Sequence, residues 1–405
     1  MKSRIMILSF LLLHSIAYGY DFKSQDSNGN YLFFRICKSN TTRTVAVTCN
    51  DNNSQQSTHV LGTVIIPESV TYKGLVYKVT EIDENVFSFN NKIKSIIVPK
   101  TVINIGIPIA VDCDMFNMIE VAGENPIYAS AQGVLIDKKG TRLICYPVGR
   151  SGSYTIPSSI KEIDNYAFIG CRSLTSVNMP DSLQSIGNLA FSECTSLKSI
   201  TIPAGIKYIG WYAFRGCSTL TTVKFNAINC NYMGNYLATV FDDDNAVSVI
   251  NIGKDVRVIP DYAFYGCSAI AELNIPDKVS KIGASAFFNC SSLEKISLGS
   301  NLKTISENAF SECRNIKSIC IESTTLPELQ GDVFSSYRAS ICMTNMDLSS
   351  IGKKSPWTKF EIVNTCEHSV NIGSFFGIII NIAALIAYVT IAYKIRKKAK
   401  NKTIA

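Results

Sequence analysis

A single spacing constrains this chain more than any motif does. Phe168, Phe191 and Phe214 lie 23 residues apart, and Phe264, Phe287 and Phe310 keep the same interval. Each of the six follows an alanine and precedes a cysteine by three positions: Cys171, Cys194, Cys217, Cys267, Cys290 and Cys313. A unit of this size cannot enclose its own apolar side chains, so copies must stack and share a core. A period in the range of about 20–29 residues with Leu and Ile at fixed offsets predicts a leucine-rich solenoid.

One copy shows how the pattern builds a surface. In Leu197–Leu220, Ile200 and Ile202 alternate with Ser199 and Thr201. Period-2 alternation places the isoleucines inside and the polar residues outside. Pro203 ends the strand because it has no N–H for a ladder. Ile206 and Ile209 turn inward, Gly210 permits a bend, and Ala213, Phe214 and Cys217 are expected beneath a short helical turn. The expected fold class is therefore an α/β repeat solenoid with a parallel β-sheet on its open face.

Weaker copies extend the array. Phe87 opens it, Phe241 lies 23 residues before Phe264, and Phe334 closes it. Residues 117–150 break the pattern and read as a strand pair turning at Lys138-Lys139-Gly140. The predicted organisation is a signal peptide over 1–19, an N-terminal β cap over 20–80 and repeats over 81–340. A C-terminal cap and stalk over 341–374, a transmembrane helix over 375–393 and a tail over 394–405 follow.

The two ends set the expected topology. Lys2 and Arg4, the apolar run Ile5–Ile16 and the small residues around Gly19 form a secretory signal pattern. Phe375–Tyr393 is apolar and long enough to span a bilayer. Six cations follow it, the pattern of a cytoplasmic flank. The expectation is a single-pass plasma-membrane protein with the solenoid outside. The net charge of +7 includes two charges from Lys2 and Arg4 and six from the tail, which leaves residues 20–393 at −1. The exported part is not basic, so nucleic acid is not an expected partner.

Of the 14 cysteines, six belong to the repeat and read as small buried hydrophobes. Two bridges are expected elsewhere: Cys37 with Cys49 across a hairpin, and Cys320 with Cys342 on neighbouring strand-like segments. Asn40 and Asn52 fit the N-x-[ST] acceptor pattern, and so does Asn289, although it adjoins a cysteine expected to be buried.

No constellation for catalysis emerges. His14, His59 and His368 are the three histidines; the first falls in the signal segment, the second lies before the repeats and the third beside the expected span, and the latter two read as surface histidines set apart from the array. No C-x-x-C pair and no phosphate-cradling glycine loop occurs. Asp242-Asp243-Asp244-Asn245 is read as a solvated loop or a calcium site. No enzyme activity, cofactor or metal is expected. The candidate ligand surface is the open face, assigned from strand phase to Ser176, Asn178, Ser199, Thr201, Thr222, Lys224, Val249, Asn251, Glu272, Asn274, Lys295, Ser297 and Ser318.

The phrase Leu197-x-x-Ile200-x-Ile202-Pro203-x-x-Ile206-x-x-Ile209-Gly210-x-x-Ala213-Phe214-x-Gly216-Cys217-x-x-Leu220 resembles the BspA-like leucine-rich-repeat family, the treponemal-type 23-residue repeat. So do Gly74-Leu75-Val76-Tyr77-Lys78-Val79 near the start, the segment Glu124-Asn125-Pro126-Ile127-Tyr128 through Tyr146-Pro147, and Trp357-Thr358-Lys359-Phe360 as a closing cap. The resemblance covers nearly all of residues 20–363. It implies a surface protein associated with adhesion to host cells, matrix proteins or other microbes. The partners it implies are proteins or glycans. A recognition receptor acting through a partner, and a coat antigen without a single ligand, are the alternatives. The family has no shared catalytic motif, so no site residues transfer from it.

Overall fold

In the computed structural model of the chain, residues 19–37, 42–49, 60–242, 246–343 and 355–363 are described. Met1–Val363 form one compact unit. The apolar positions of the repeat stack into one continuous core that runs from Phe22 to Phe360.

Two parallel ladders form two sides of the solenoid. The longer strands include Ser199–Ile202, Thr222–Phe225 and Val249–Ile252, joined in parallel with Ser199 opposite Thr222 and Thr222 opposite Val249. A second run continues through Glu272–Ile275, Lys295–Leu298, Ser318–Ile321, Ser340–Met343 and Glu361–Val363. The shorter ladder is built of two-residue strands such as Ser185–Ile186, Tyr208–Ile209 and Tyr232–Met233, again in register and parallel. Burial alternates along the longer strands, so Ile200 and Ile202 are buried while Ser199 and Thr201 are exposed.

The third side corrects the expected α/β class. No α-helix occurs among the described residues, and their one helical segment is the 3-10 turn Pro356–Lys359. The molecule is a β-solenoid. The cause lies in where the backbone N–H groups go. Phe168 N–H donates to Ala190 O at 2.7 Å and Gly170 N–H to Ser192 O at 2.8 Å, both one rung away. The intervening Ile169 N–H closes a local turn onto Tyr166 O at 3.0 Å. Tyr166 and Gly170 both have positive φ, as do Leu189 with Glu193, Tyr212 with Gly216, and Tyr262 with Gly266. Two left-handed residues four apart cannot continue a right-handed helix. The segment becomes a stack of β-turns whose alternate amides form a third ladder.

The aromatic column holds these turns together. Phe168 stacks on Phe191 at 4.6 Å and Phe191 on Phe214 at 5.2 Å. Phe241 joins Phe214 to Phe264 at 5.6 and 6.0 Å, which places the longer copy that runs 27 residues from Phe214 to Phe241 in the same array. Phe334 closes the column against Phe310. At the other end Tyr146 replaces the missing phenylalanine, 4.9 Å from Phe168.

The ends are covered differently. Phe22–Gln25, Tyr31–Ile36, Thr44–Thr48, Leu75–Ile82 and Ser69–Tyr72 form a mixed sheet in that order. Leu75–Ile82 also pairs with Asn104–Ile105 and so leads into the short ladder. The irregular insert folds as Tyr128–Ala131, Val134–Asp137 and Arg142–Cys145 in antiparallel sequence, and its last strand starts the parallel short ladder at Glu162–Ile163. At the far end Trp357 is buried and donates from Nε1 to Pro327 O at 2.8 Å.

The expected membrane placement is not retained. Residues 375–393 lie outside the described residues, and among the described residues no helix is long and apolar enough to cross a membrane. The single transmembrane helix and the single-pass plasma-membrane localisation are therefore withdrawn. The signal segment 1–18, the tail 394–405, Asn40, Asn52, His59 and Asp243–Asn245 also lie outside the described residues.

Candidate functional site: the outward face of the long-strand ladder

The open-face residues sit where strand phase puts them. Ser176, Asn178, Ser199, Thr201, Lys224, Val249, Asn251, Glu272, Asn274 and Lys295 are exposed, and Thr222, Ser297 and Ser318 are half-buried. The register groups them into columns along the solenoid. Thr201, Lys224 and Asn251 are direct neighbours on successive strands, and so are Glu272, Lys295 and Ser318. Neighbouring strands are about 4.8 Å apart, so each column offers one polar group per rung.

Little net charge remains on this face. Lys295 Nζ lies 3.4 Å from Glu272 Oε1, and just beside it Lys317 Nζ lies 2.7 Å from Glu294 Oε1. Both pairs link equivalent positions of adjacent repeats at the surface, where such pairs contribute little to stability. They do neutralise one another, which leaves Lys224 as the cation at the centre of the face.

The face extends one strand beyond the residues assigned from strand phase. Ser153 and Thr155 are exposed on Gly152–Thr155 and pair in register with Ser176 and Asn178. The signal was present: Ser153-Tyr154-Thr155-Ile156-Pro157 repeats the phrase Ser199-Ile200-Thr201-Ile202-Pro203. Cys320, expected as half of a bridge, stands on the open face opposite Ser297.

Neither expected disulfide is present. Cys37, Cys49 and Cys320 carry free thiols, whereas Cys342 is disulfide-bonded to a cysteine other than Cys320. The hairpin register explains the first case. Ile36 faces Val45 and Phe33 faces Thr48, which carries Cys37 and Cys49 to opposite ends of the strand pair. In the second case the two positions are in-register neighbours, but the sulfur of Cys342 is already bonded elsewhere.

The repeat cysteines are fully or nearly fully buried. Burial pushes the thiols of Cys171, Cys194 and Cys290 well above the ordinary range, and those of Cys113, Cys145 and Cys230 up to about 12. Thiols held this firmly in the protonated form are poor nucleophiles and poor metal ligands. Among the described residues no group of three or more His, Cys, Asp or Glu side chains could hold a metal ion.

A three-sided β-solenoid with a largely polar long-strand face is a repeat scaffold for binding. The chain belongs to the BspA-type leucine-rich repeat family, whose model matches six copies over residues 29–125, 150–239 and 237–356. Similar solved structures include a leucine-rich repeat protein of Eubacterium ventriosum, 22% identical over 73% of this chain and 67% of that one, with a TM-score of 0.45. Another, from Bacteroides ovatus, is 21% identical over 81% of this chain and 88% of that one, TM-score 0.43. The leucine-rich repeat protein of T. pallidum is 26% identical over 50% and 78%, TM-score 0.32. No curated protein matches the chain.

Proposed function

We propose that this chain is an exported surface protein that binds macromolecules through its long-strand face and serves as an adhesin. The observation that carries this reading is the in-register array of mostly polar outward side chains across Ser199–Ile202, Thr222–Phe225 and Val249–Ile252, with Val249 its apolar member. Such an array supplies hydrogen-bond donors and acceptors at a regular interval on a rigid backbone. A rigid surface loses little entropy when it binds. Host-cell proteins, matrix proteins and glycans are the partners whose extended polar surfaces suit it. Membership of a repeat family of protein-interaction scaffolds supports the same reading.

The test uses residues 19–363, which hold the whole described core. Binding is measured on epithelial cells and on immobilised matrix proteins, beside a variant carrying Ser199→Ala, Thr201→Ala, Lys224→Ala and Asn251→Ala together. Several positions change at once because single peripheral contacts carry little energy. Saturable binding lost in the variant supports the adhesin. A folded wild-type protein that binds neither target overturns it.

A further inference from the structure

Asn289-Cys290-Ser291 meets the N-x-[ST] acceptor pattern, yet Cys290 belongs to the buried cysteine column. The structure separates the two residues. Cys290 is fully buried, whereas Asn289 is exposed. Asn289 has a φ of 57°, in the left-handed region that asparagine tolerates better than most residues. Equivalent turns place Gly170, Gly216 or Gly266 there. This conformation directs the Asn289 side chain to solvent while the next residue enters the core.

The amide of Asn289 is also uncommitted. Its backbone N–H donates to Ser311 O at 2.8 Å. Its side chain has no hydrogen-bond partner among the described residues, unlike Asn85 and Asn308, whose Oδ1 atoms accept from Ser88 and Ser311. Within its repeat Asn289 stands between the short strand Lys281–Ile282 and the long strand Lys295–Leu298, on the stacked-turn side. A bulky group attached there meets water and leaves the long-strand face clear.

We propose that Asn289 is an N-glycosylation acceptor, an inference that rests on the export assigned above. The donor is an oligosaccharide carried on a lipid pyrophosphate. Asn289 Nδ2 forms a bond to the anomeric carbon, and the bond from that carbon to the phosphate oxygen breaks. The electron pair leaves with the lipid pyrophosphate, and the amide nitrogen gives up one proton. Ser291, two positions on, supplies the hydroxyl residue that the pattern requires.

The experiment expresses the full chain in a eukaryotic cell with an N-glycosylating secretory pathway. Glycans are released enzymatically in heavy-oxygen water, which converts each occupied asparagine to labelled aspartate, and the peptides are mapped by mass. The expected result is a label at position 289 that is lost in Ser291→Ala. That variant keeps Asn289 in its turn, so an unchanged thermal transition separates loss of the acceptor from loss of the fold. An exported chain with unlabelled Asn289 overturns this inference alone. A chain that never enters the pathway overturns both it and the export reading.

Discussion

Cys194 donates its thiol proton to the carbonyl oxygen of Phe168, one repeat earlier, at 3.2 Å. The same bond recurs from Cys217 to Phe191 at 3.1 Å and from Cys313 to Phe287 at 3.1 Å. The Phe168 carbonyl already accepts from Cys171 N–H at 3.2 Å, so the thiol uses its second lone pair. The cysteine column is thus a chain of weak bonds that ties each turn to the one before it. This gives the repeat a reason to keep cysteine that does not involve disulfides.

Replacing Cys194 by alanine removes one bond and leaves a small void. The expected cost is about 1 kcal/mol, in line with losing a single methylene-sized group from a core. A urea denaturation midpoint that does not move in Cys194→Ala would deny the bond any structural weight.

The buried thiols also fix a direction for pH. Burial raises Cys113, Cys145 and Cys230 to about 12 in the folded state. Unfolding returns them to about 8.5. Between those values the folded chain holds protons that the unfolded chain releases, so stability falls as pH rises. Their contribution is fully present below about pH 8.5 and is lost as the pH passes about 12. Thermal transitions measured upward from pH 8 should fall with rising pH, and a cysteine alkylator should reach Cys37, Cys49 and Cys320 well before the repeat thiols.

Much of this architecture was legible in the sequence because repeated side chains must occupy equivalent places. The phase of Ile200 and Ile202 against Ser199 and Thr201 fixed the inside and outside of the ladder, and the Ala-Phe and Cys columns fixed the core. The turn after Gly210 was not legible. Ala213, Phe214 and Cys217 sit three and four positions apart, which suits one face of a helix as well as it suits stacked turns. The decision between them rests on amides that bond across to the next rung, and those partners exist only once the rungs stack. The Cys37–Cys49 bridge failed for a related reason. The sequence indicated a hairpin between them, but only the pairing register showed that they stand at its opposite ends.

The stacked phenylalanines should dominate the energetics. Phe214 is buried between Phe191 and Phe241. Phe214→Ala should cost about 3–5 kcal/mol, whereas Thr201→Ala on the exposed face should stay within about 0.5 kcal/mol. Urea titration of the two variants should separate them clearly. Similar midpoints would mean that the aromatic column is not what holds adjacent rungs together.

Gly210 tests the packing of the corner between rungs. An added Cβ would lie 2.5 Å from the backbone nitrogen of Asn188 and 2.7 Å from the carbonyl carbon of Gly187. Neither is the end of a flexible side chain, so the rungs themselves must move. The same corner carries bonds that depend on close approach. Asn188 N–H donates to Asn165 Oδ1 at 2.8 Å, and Asn188 Oδ1 accepts from Trp211 N–H at 3.1 Å. Gly210→Ala should therefore cost about 1–3 kcal/mol, as overpacking does elsewhere. Gly140→Ala is the control. Gly140 has a φ of 69° with open space around it, so alanine there meets only backbone strain, roughly 1–2 kcal/mol. Hydrogen exchange should show lost protection at the amides of Asn188 and Trp211 in Gly210→Ala and unchanged protection there in Gly140→Ala. Unchanged protection at both amides in Gly210→Ala would mean that the corner tolerates a methyl group.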